Sequence, residues 1–503
     1  MENTQIILSV VVCYFLFILG IGYISYRKTD TTIEDYFMAD RQFGTLVLLM
    51  AVFATNMTAF IMIGMPGKAY HVGIGVFGWG IIFCCTYPVF FYFLGYRGWL
   101  LGKKYGYMTP CELFSDRYES DGVNLIMFIL LIYYTIPYLV LGVIGGALAF
   151  SSMTQGAVPY WLGALIITCI VFAYTFLGGM RGTAWTNAIQ GFVFIVAAWT
   201  AVILIAQSMG GFEAATQKVL SAKPELMKRT GFPVFSFKNW FSFMLVIQCG
   251  VAFPHLWIRL LTGKSHVTMQ RMNLLYPIAG VLFWLPCIIV GVWGAAMIPG
   301  LAGKASDTIF PQMVAKFTNP LVAGLILAGI FAAVMSSLDA MILTVSTMFI
   351  RDILSKYRPQ SVQGREVVSG RLFVAVISII TYLLALMRPG SIVGIAAYAF
   401  SGYVLFIPVM IAGLFWKKST RHGVMAAMLS GTGALLLFQF GNIPSSFSFG
   451  FMPIVPCLIL TTGVLILVSL FTAPPSEKTL HKFYGFLDPI FSGKKQSKQA
   501  SGI

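Results

Sequence analysis

The sequence predicts an all-α integral membrane protein that crosses a bilayer about thirteen times. Three observations predict it. First, 58% of the 503 residues are hydrophobic and only 10% are charged, with mean hydropathy +0.84. A soluble chain carries about 25% charged residues, because its surface faces water. Second, apolar runs of about 20 residues recur from end to end, the length at which a helix matches the hydrocarbon thickness of a bilayer. A β-barrel would show ~10-residue stretches of alternating polarity instead. Third, the basic residues cluster in the short segments between these runs.

Candidate spans are 5–26, 45–71, 75–100, 123–150, 158–179, 185–208, 238–262, 274–299, 320–350, 372–388, 391–415, 423–441 and 450–472. An odd number of spans places the two termini on opposite sides. With the N-terminus outside, the inner segments are 27–44, 97–122, 180–184, 259–273, 351–371, 416–422 and the tail after 473. These hold 24 of the 33 Lys and Arg residues. Lys and Arg accumulate in cytoplasmic loops, so the count predicts an outer N-terminus and a cytoplasmic C-terminus in a cell membrane. Five of the nine exceptions fall in one loop, 209–238, which is expected to carry a short amphipathic helix. The tail GKKQSKQASGI is polar and basic, a composition that favours disorder. The net charge of +16 is therefore read as topology and not as a nucleic-acid surface. The eight cysteines show no metal-type spacing and read as small core hydrophobes. The first run lacks a basic segment before it and has Arg27 and Lys28 after it, so it reads as a retained span.

Two spans carry internal breaks. AVFATNMTAFIMIGMPGKAYHVG holds Thr55, Asn56 and Thr58, then Gly64, Pro66 and Gly67. FMLVIQCGVAFPHLWIRLL holds Gln248, Gly250, Pro254 and His255. Proline removes a backbone donor and clashes with the preceding turn. Backbone freed this way inside a membrane faces protein or a water-filled cavity. If 45–208 and 238–415 are two five-helix units in inverted orientation, the breaks fall on the first helix of each. Matched interruptions in two halves point to a secondary transporter with its site near the midplane. The remaining segments are then an extra helix and loop (1–44), an outer loop (209–237), two C-terminal helices (416–472) and a cytoplasmic tail (473–503).

A third segment, GIFAAVMSSLDAMILTVSTMF, places Ala333, Ser336 and Ser337 near one helical face. Hydroxyls and freed carbonyls are the oxygen ligands that a hard monovalent cation takes. A serine pair also serves as packing glue or bonds back to the preceding turn; the residues alone leave both readings open. Asp339 follows, and an ionisable group in mid-span is by default a functional hypothesis. About 18 Å of helix separates it from Arg351, too far for contact.

The chain resembles the sodium/solute symporter family, which includes the bacterial proline and pantothenate carriers. The resemblance runs from Tyr26 to Trp416. It rests on the joint order of DYFMADRQFG (35–44), ATNMTAFIMIGMPG (54–67), TPCELFSDRY (109–118), FLGGMRGTAWTNAIQG (176–191), GVAFPHLWIR (250–259), AAVMSSLDA (332–340) and AAYAFSGY (396–403). It implies the inverted five-helix repeat fold, with sodium as coupling ion and no other cofactor. Sodium would be held by backbone oxygens of Ala54, Met57 and Ala333 and the hydroxyls of Ser336 and Ser337. Two departures stand out: Asn187 and Asn56 occupy positions where relatives carry Asp. Some relatives bind a second sodium near the first of these, so Asn187 and Asp339 are expected to face each other as a possible second cation site. Asp339 bonding a helix end near the cytoplasm is the other reading.

The solute is expected between the broken helices and the third and tenth core helices, near Thr58, Tyr138, Gln248, Tyr398 and Ser401. Val246 stands where proline carriers have Trp, which argues against proline itself. Arg259, at the inner end of its span, is expected to snorkel to the interface, and Lys68 to face the outer side. The function expected is sodium-coupled import of a carboxylate, a pantothenate-like compound or an amino acid, with a single chain sufficing. Proton coupling through Asp339 or His255 and a channel are the alternatives. A channel wants a continuous polar lining, and the polar clusters here are isolated. No enzyme motif lies in or beside the spans.

Overall fold

The structure is a computed structural model that describes residues 2–28, 38–228, 231–358 and 365–491. Helices follow one another without a strand among these residues; one isolated bridge joins Phe43 to Gly263. Residues 35–37 of the first motif and the 493–503 tail lie outside the described residues.

The order is α1 (Glu2–Lys28), then α2 (Thr45–Asn56) and α3 (Phe60–Val72), bent by 52° at their junction. Next come α4 (Val76–Tyr105), the short α5 (Pro110–Arg117), α6 (Asp121–Met153), α7 (Tyr160–Phe176), α8 (Gly179–Ser208) and the surface helix α9 (Phe212–Ala222). The pair α10 (Phe237–Ala252) and α11 (Pro254–Leu261) bends by 45°. It is followed by α12 (His266–Met297), α13 (Ile309–Phe317), α14 (Pro320–Tyr357), α15 (Glu366–Met387), α16 (Ile392–Phe415), α17 (Arg421–Gln439), α18 (Ile454–Leu470) and α19 (Glu477–Phe491). Nine of the described helices are long and apolar enough to cross a membrane, and eleven spans result if each bent pair is one. The expected thirteen requires the shorter apolar helices α7 and α18 as well.

Loop contacts sort the helix ends onto two faces. On the Glu2 face Tyr70 donates to the Ile298 carbonyl, Ser208 to Phe317 and Lys238 to Phe449. On the Lys28 face Trp99 donates to Gly263, Thr109 to Asp352 and Arg117 to Gly413. Between the faces, outward side chains such as Leu16, Ile129, Val196, Ile278, Leu325 and Ile379 are apolar and exposed. A belt of this kind is stable against lipid and not against water.

The two bends have local causes. Met57 leaves the helical region (φ −90, ψ 87). The Thr58 hydroxyl then accepts the Phe60 N–H at 3.1 Å, and its carbonyl accepts the Ile61 N–H at 3.0 Å, which starts α3. Phe253 is extended (φ −66, ψ 119) and Pro254 opens α11, where its missing N–H has no partner to lose. Gly291 of α12 lies so close to α3 that a Cβ there would sit 2.3 Å from the Pro66 carbonyl oxygen. α7 and α8 join at Gly179 (φ 53, ψ −153), a conformation open to glycine. The expected loop 180–184 is thus already the first turn of α8.

The third polar segment, 333–339, is not interrupted: α14 runs unbroken from Pro320 to Met348. Its serine hydroxyls bond back to the preceding turn without removing a backbone donor, and no Pro or Gly lies in 331–348. The segment expected as a cytoplasmic tail opens with a helix. α19 buries Phe483, Tyr484, Phe486 and Leu487 and docks on the Lys28 face. Tyr105 donates to the Lys482 carbonyl, Lys482 pairs with Asp116, and Tyr484 bonds Arg117 and the Gly413 carbonyl.

Candidate ion and solute site

The break between α2 and α3 lies against the middle of α14. The Ser336 hydroxyl is 2.9 Å from the Ala54 carbonyl oxygen and 3.2 Å from that of Ala333. The Ser337 hydroxyl donates to Val334 at 2.9 Å and reaches the Ala333 oxygen at 3.3 Å. Met57 caps α2 by donating its N–H to Phe53, and its ψ of 87 turns its own carbonyl out of the helical ladder. All five residues are fully buried. The carbonyl oxygens of Ala54 on α2 and Ala333 on α14 thus meet at the Ser336 hydroxyl.

One turn along α14 from Ser336 lies a second buried polar cluster. Asn187 of α8 donates its amide to the Ser336 carbonyl at 3.0 Å, to the Thr55 hydroxyl at 3.2 Å and to Asp339 Oδ1 at 3.2 Å. Tyr174 of α7 donates to Asp339 Oδ2 at 3.0 Å and shares the Met335 carbonyl. Arg259 of α11 brings Nη2 to 3.9 Å from Asp339 Oδ1 while donating to the Thr183 hydroxyl at 3.0 Å. Asn187 and Asp339 are in contact. Arg259, by contrast, does not snorkel: it is 1% exposed. α11 starts afresh at Pro254, so its fifth-to-sixth residues point inward instead of running out to the interface. All eight α11 residues are buried. Arg351 bonds Glu112 at 2.7 Å, far from Asp339, and Asp339 meets side chains instead of a helix end.

The expected solute residues divide. Thr58 and Tyr138 are buried together, within hydrogen-bonding reach of one another. The Tyr138 ring packs on Phe253, His255 and Phe400, at centroid distances of 5.1, 5.6 and 5.0 Å. Gln248 is half-buried at the second break, and its buried Oε1 has no protein partner. Ser401 bonds back to the Ala397 carbonyl, one turn along α16 from the lining of a cavity on the Glu2 face. Tyr398 does not join this group: it is half-buried and bonds Tyr133 at 2.6 Å. The phase of α16 turns Phe400, not Tyr398, toward the breaks, where it meets Phe60 and Phe253 at 5.3 Å each. On the Glu2 face a cavity of about 670 Å³ leads toward the breaks, lined by Lys68, His71, Lys304, Asp307, Gly394 and Ala397 among others.

A sequence profile described as the sodium:solute symporter family matches residues 36–431, well over half of the chain. The chain belongs to the sodium:solute symporter family. Its relatives include the sodium/pantothenate symporter of Haemophilus influenzae, 28% identical with 91% of this chain and 94% of that one aligned. The high-affinity proline transporter PutP of Bacillus subtilis is 25% identical over 94% and 99% of the two chains. Among solved structures, a Na⁺-coupled sialic acid symporter in a substrate-bound outward-open state matches with TM-score 0.77 and 19% identity, covering 94% of this chain and 99% of that chain. A nucleobase-cation-symport-1 family transporter in a closed conformation matches with TM-score 0.61 and 16% identity, covering 89% and 97%. These likenesses establish the fold, an all-α symporter core of inverted five-helix repeats. The family's members are transporters and not enzymes.

Several residues of this symporter's site were not legible in advance. Tyr174 lies in an apolar run outside every quoted motif, and Thr55 and Thr183 lie within quoted motifs that assign them no role. A usable signal lay in Arg259 and His255: they stand four apart on a helix that begins at a break, so both face the same side.

Proposed function

We propose that this symporter imports a small organic carboxylate, of the pantothenate-like or amino-acid class, with sodium as the coupling ion. The observation that carries the reading is the Ser336 hydroxyl reaching the Ala54 carbonyl where α2 breaks. Sodium takes the oxygens of Ala54, Met57 and Ala333 with the hydroxyls of Ser336 and Ser337, which turn their lone pairs to the ion. That joins α2 of the first repeat to α14 of the second. Solute sits beside it, against Thr58, Tyr138 and Gln248, with Ser401 toward the outer side and Phe400 in place of the expected Tyr398. Each ligand stabilises the conformation that the other binds. The repeats are 45–208 and 238–415, and one chain suffices. The Glu2 face is outside and the Lys28 face cytoplasmic, in the cell membrane, in keeping with the distribution of Lys and Arg.

Carboxylate preference rests on two supports. The relatives named above include carriers of pantothenate and of proline, both carboxylates. The cavity on the outer face holds Lys68 with no ion pair, while its one carboxylate, Asp307, is engaged by the Ile392 N–H at 3.0 Å. A cationic vestibule raises the local concentration of anions. A thermal-shift screen of the purified protein tests the reading. Amino acids, short carboxylates and pantothenate are compared with and without Na⁺, and the true solute raises the midpoint by binding the native state, more so with Na⁺. A solute whose stabilisation is the same in Na⁺ and in choline would refute the coupling.

A further inference from the structure

Asp339 is a fully buried carboxylate next to the proposed sodium position, and its charge has to be balanced. Two kinds of cation answer that need, a bound ion or a side chain. The structure supplies the side chain. Both carboxylate oxygens are engaged, Oδ1 by Asn187 and Oδ2 by Tyr174, and the Arg259 guanidinium approaches from the third side at 3.9 Å. Two of its nitrogens, Nε and Nη1, are buried without a protein partner. The guanidinium is thus held there by charge and by the single bond to Thr183, not by a full set of hydrogen bonds.

We propose that Arg259 is the resident counter-cation of Asp339, so that the chain binds one sodium ion and not two. The second cation position expected at Asn187 and Asp339 is then filled from within. Arg259 acts as a positioning residue: among the described residues its polar contacts are Thr183 and Asp339, not the sodium ligands or the solute residues. It does so from a particular place, because α11 is the half-helix beyond the second break, whereas Tyr174, Thr183, Asn187 and Asp339 belong to helices without that break. Asn187 connects the proposed sodium position with the Asp339–Arg259 pair. Its amide has two hydrogens and three acceptors, the Ser336 carbonyl, the Thr55 hydroxyl and Asp339. A shift of Ser336 on sodium binding therefore changes what Asn187 gives to Asp339, and through it the hold on Arg259 and α11.

This inference rests on the sodium reading above, and the test separates the two. ²²Na⁺ binding to the purified full-length chain is counted at saturation for wild type, Arg259→Gln and Arg259→Lys. Wild type binds one ion per chain. Arg259→Gln binds two, because the uncovered carboxylate recruits a second. Arg259→Lys restores one, which a merely structural role for the side chain would not produce. Two ions on wild type, or one on a folded Arg259→Gln, overturns the inference while leaving sodium coupling intact. No saturable ion on wild type overturns the sodium reading itself. Should Arg259→Gln not fold, the wild-type count still decides.

Discussion

The Ser336 hydroxyl meets carbonyl oxygens of two helices, Ala54 and Ala333, and the Ser337 hydroxyl reaches the Ala333 oxygen from the next position. Removing one hydroxyl from such a set costs about 1–2 kcal/mol of ligand interaction, which is roughly tenfold in affinity. Ser336→Ala should therefore raise the half-saturating Na⁺ concentration by about that factor or more, since it also cuts the contact to Ala54. Ser337→Ala should act in the same direction and less strongly. Sodium titration of transport or of thermal stability measures both. Asp339 and Arg259 make a different kind of residue-level prediction. Removing one partner of a buried ion pair leaves an uncompensated charge, worth ~3–5 kcal/mol of destabilisation. Arg259→Met should lower the unfolding midpoint sharply, and the double variant Arg259→Met with Asp339→Asn should recover much of the loss. A double-mutant cycle on thermal midpoints checks it; additive losses would contradict the pairing.

At the scale of elements, the breaks at α2–α3 and α10–α11 were readable because proline and glycine act on the backbone wherever they stand. The serine pair in α14 sits in an unbroken helix, because a hydroxyl that bonds to the preceding turn leaves the backbone ladder whole. Arg259 was misplaced for a related reason: counting from the start of the span puts it at the interface, whereas counting from Pro254 puts it within a turn and a half of the break. Tyr398 and Phe400 differ by two residues, about 200° of helix, and hydropathy does not say which side of α16 faces the solute. Close backbone packing holds the first bend in place. Gly291→Ala would drive a Cβ to 2.3 Å from the Pro66 carbonyl, where no flexible side chain is available to yield. The cost expected for such overpacking is about 1–3 kcal/mol, read as a lower thermal midpoint, whereas Gly433→Ala, with open space around it, should be neutral. Asp307 sets a pH dependence in the Glu2-face loop before α13. Burial pushes its carboxyl up to about 6 from the ordinary 3.8, against the lowering effect of the Ile392 N–H. The folded state therefore takes up this proton more readily than the unfolded chain, and stability from this group grows as pH falls through about 6. The midpoint of wild type relative to Asp307→Asn should rise between pH 7.5 and 5.

For the whole molecule, composition and run length were enough to place the chain in a bilayer, and motif order was enough to place it in its family. What they could not supply was the docking of α19. An amphipathic segment of 15 residues reads equally well as a surface helix or as part of a polar tail. Its contacts cross between α4, α5 and the end of α16, all on the Lys28 face. Truncation after Pro474 should lower the thermal midpoint, because Arg117 then loses Tyr484, but should spare Na⁺ binding, whose proposed ligands lie on α2 and α14. The two bent pairs, the oxygen cluster between α2 and α14, and the vestibule on the Glu2 face together describe a carrier in which ion and solute share one hinge region. The measurement that tests this most directly is accumulation of the solute identified by the thermal screen in proteoliposomes under an imposed Na⁺ gradient. An inward gradient should drive solute above its equilibrium level, and collapse of that gradient or Ser336→Ala should abolish the overshoot. Accumulation of equal size when choline replaces Na⁺ would contradict the account.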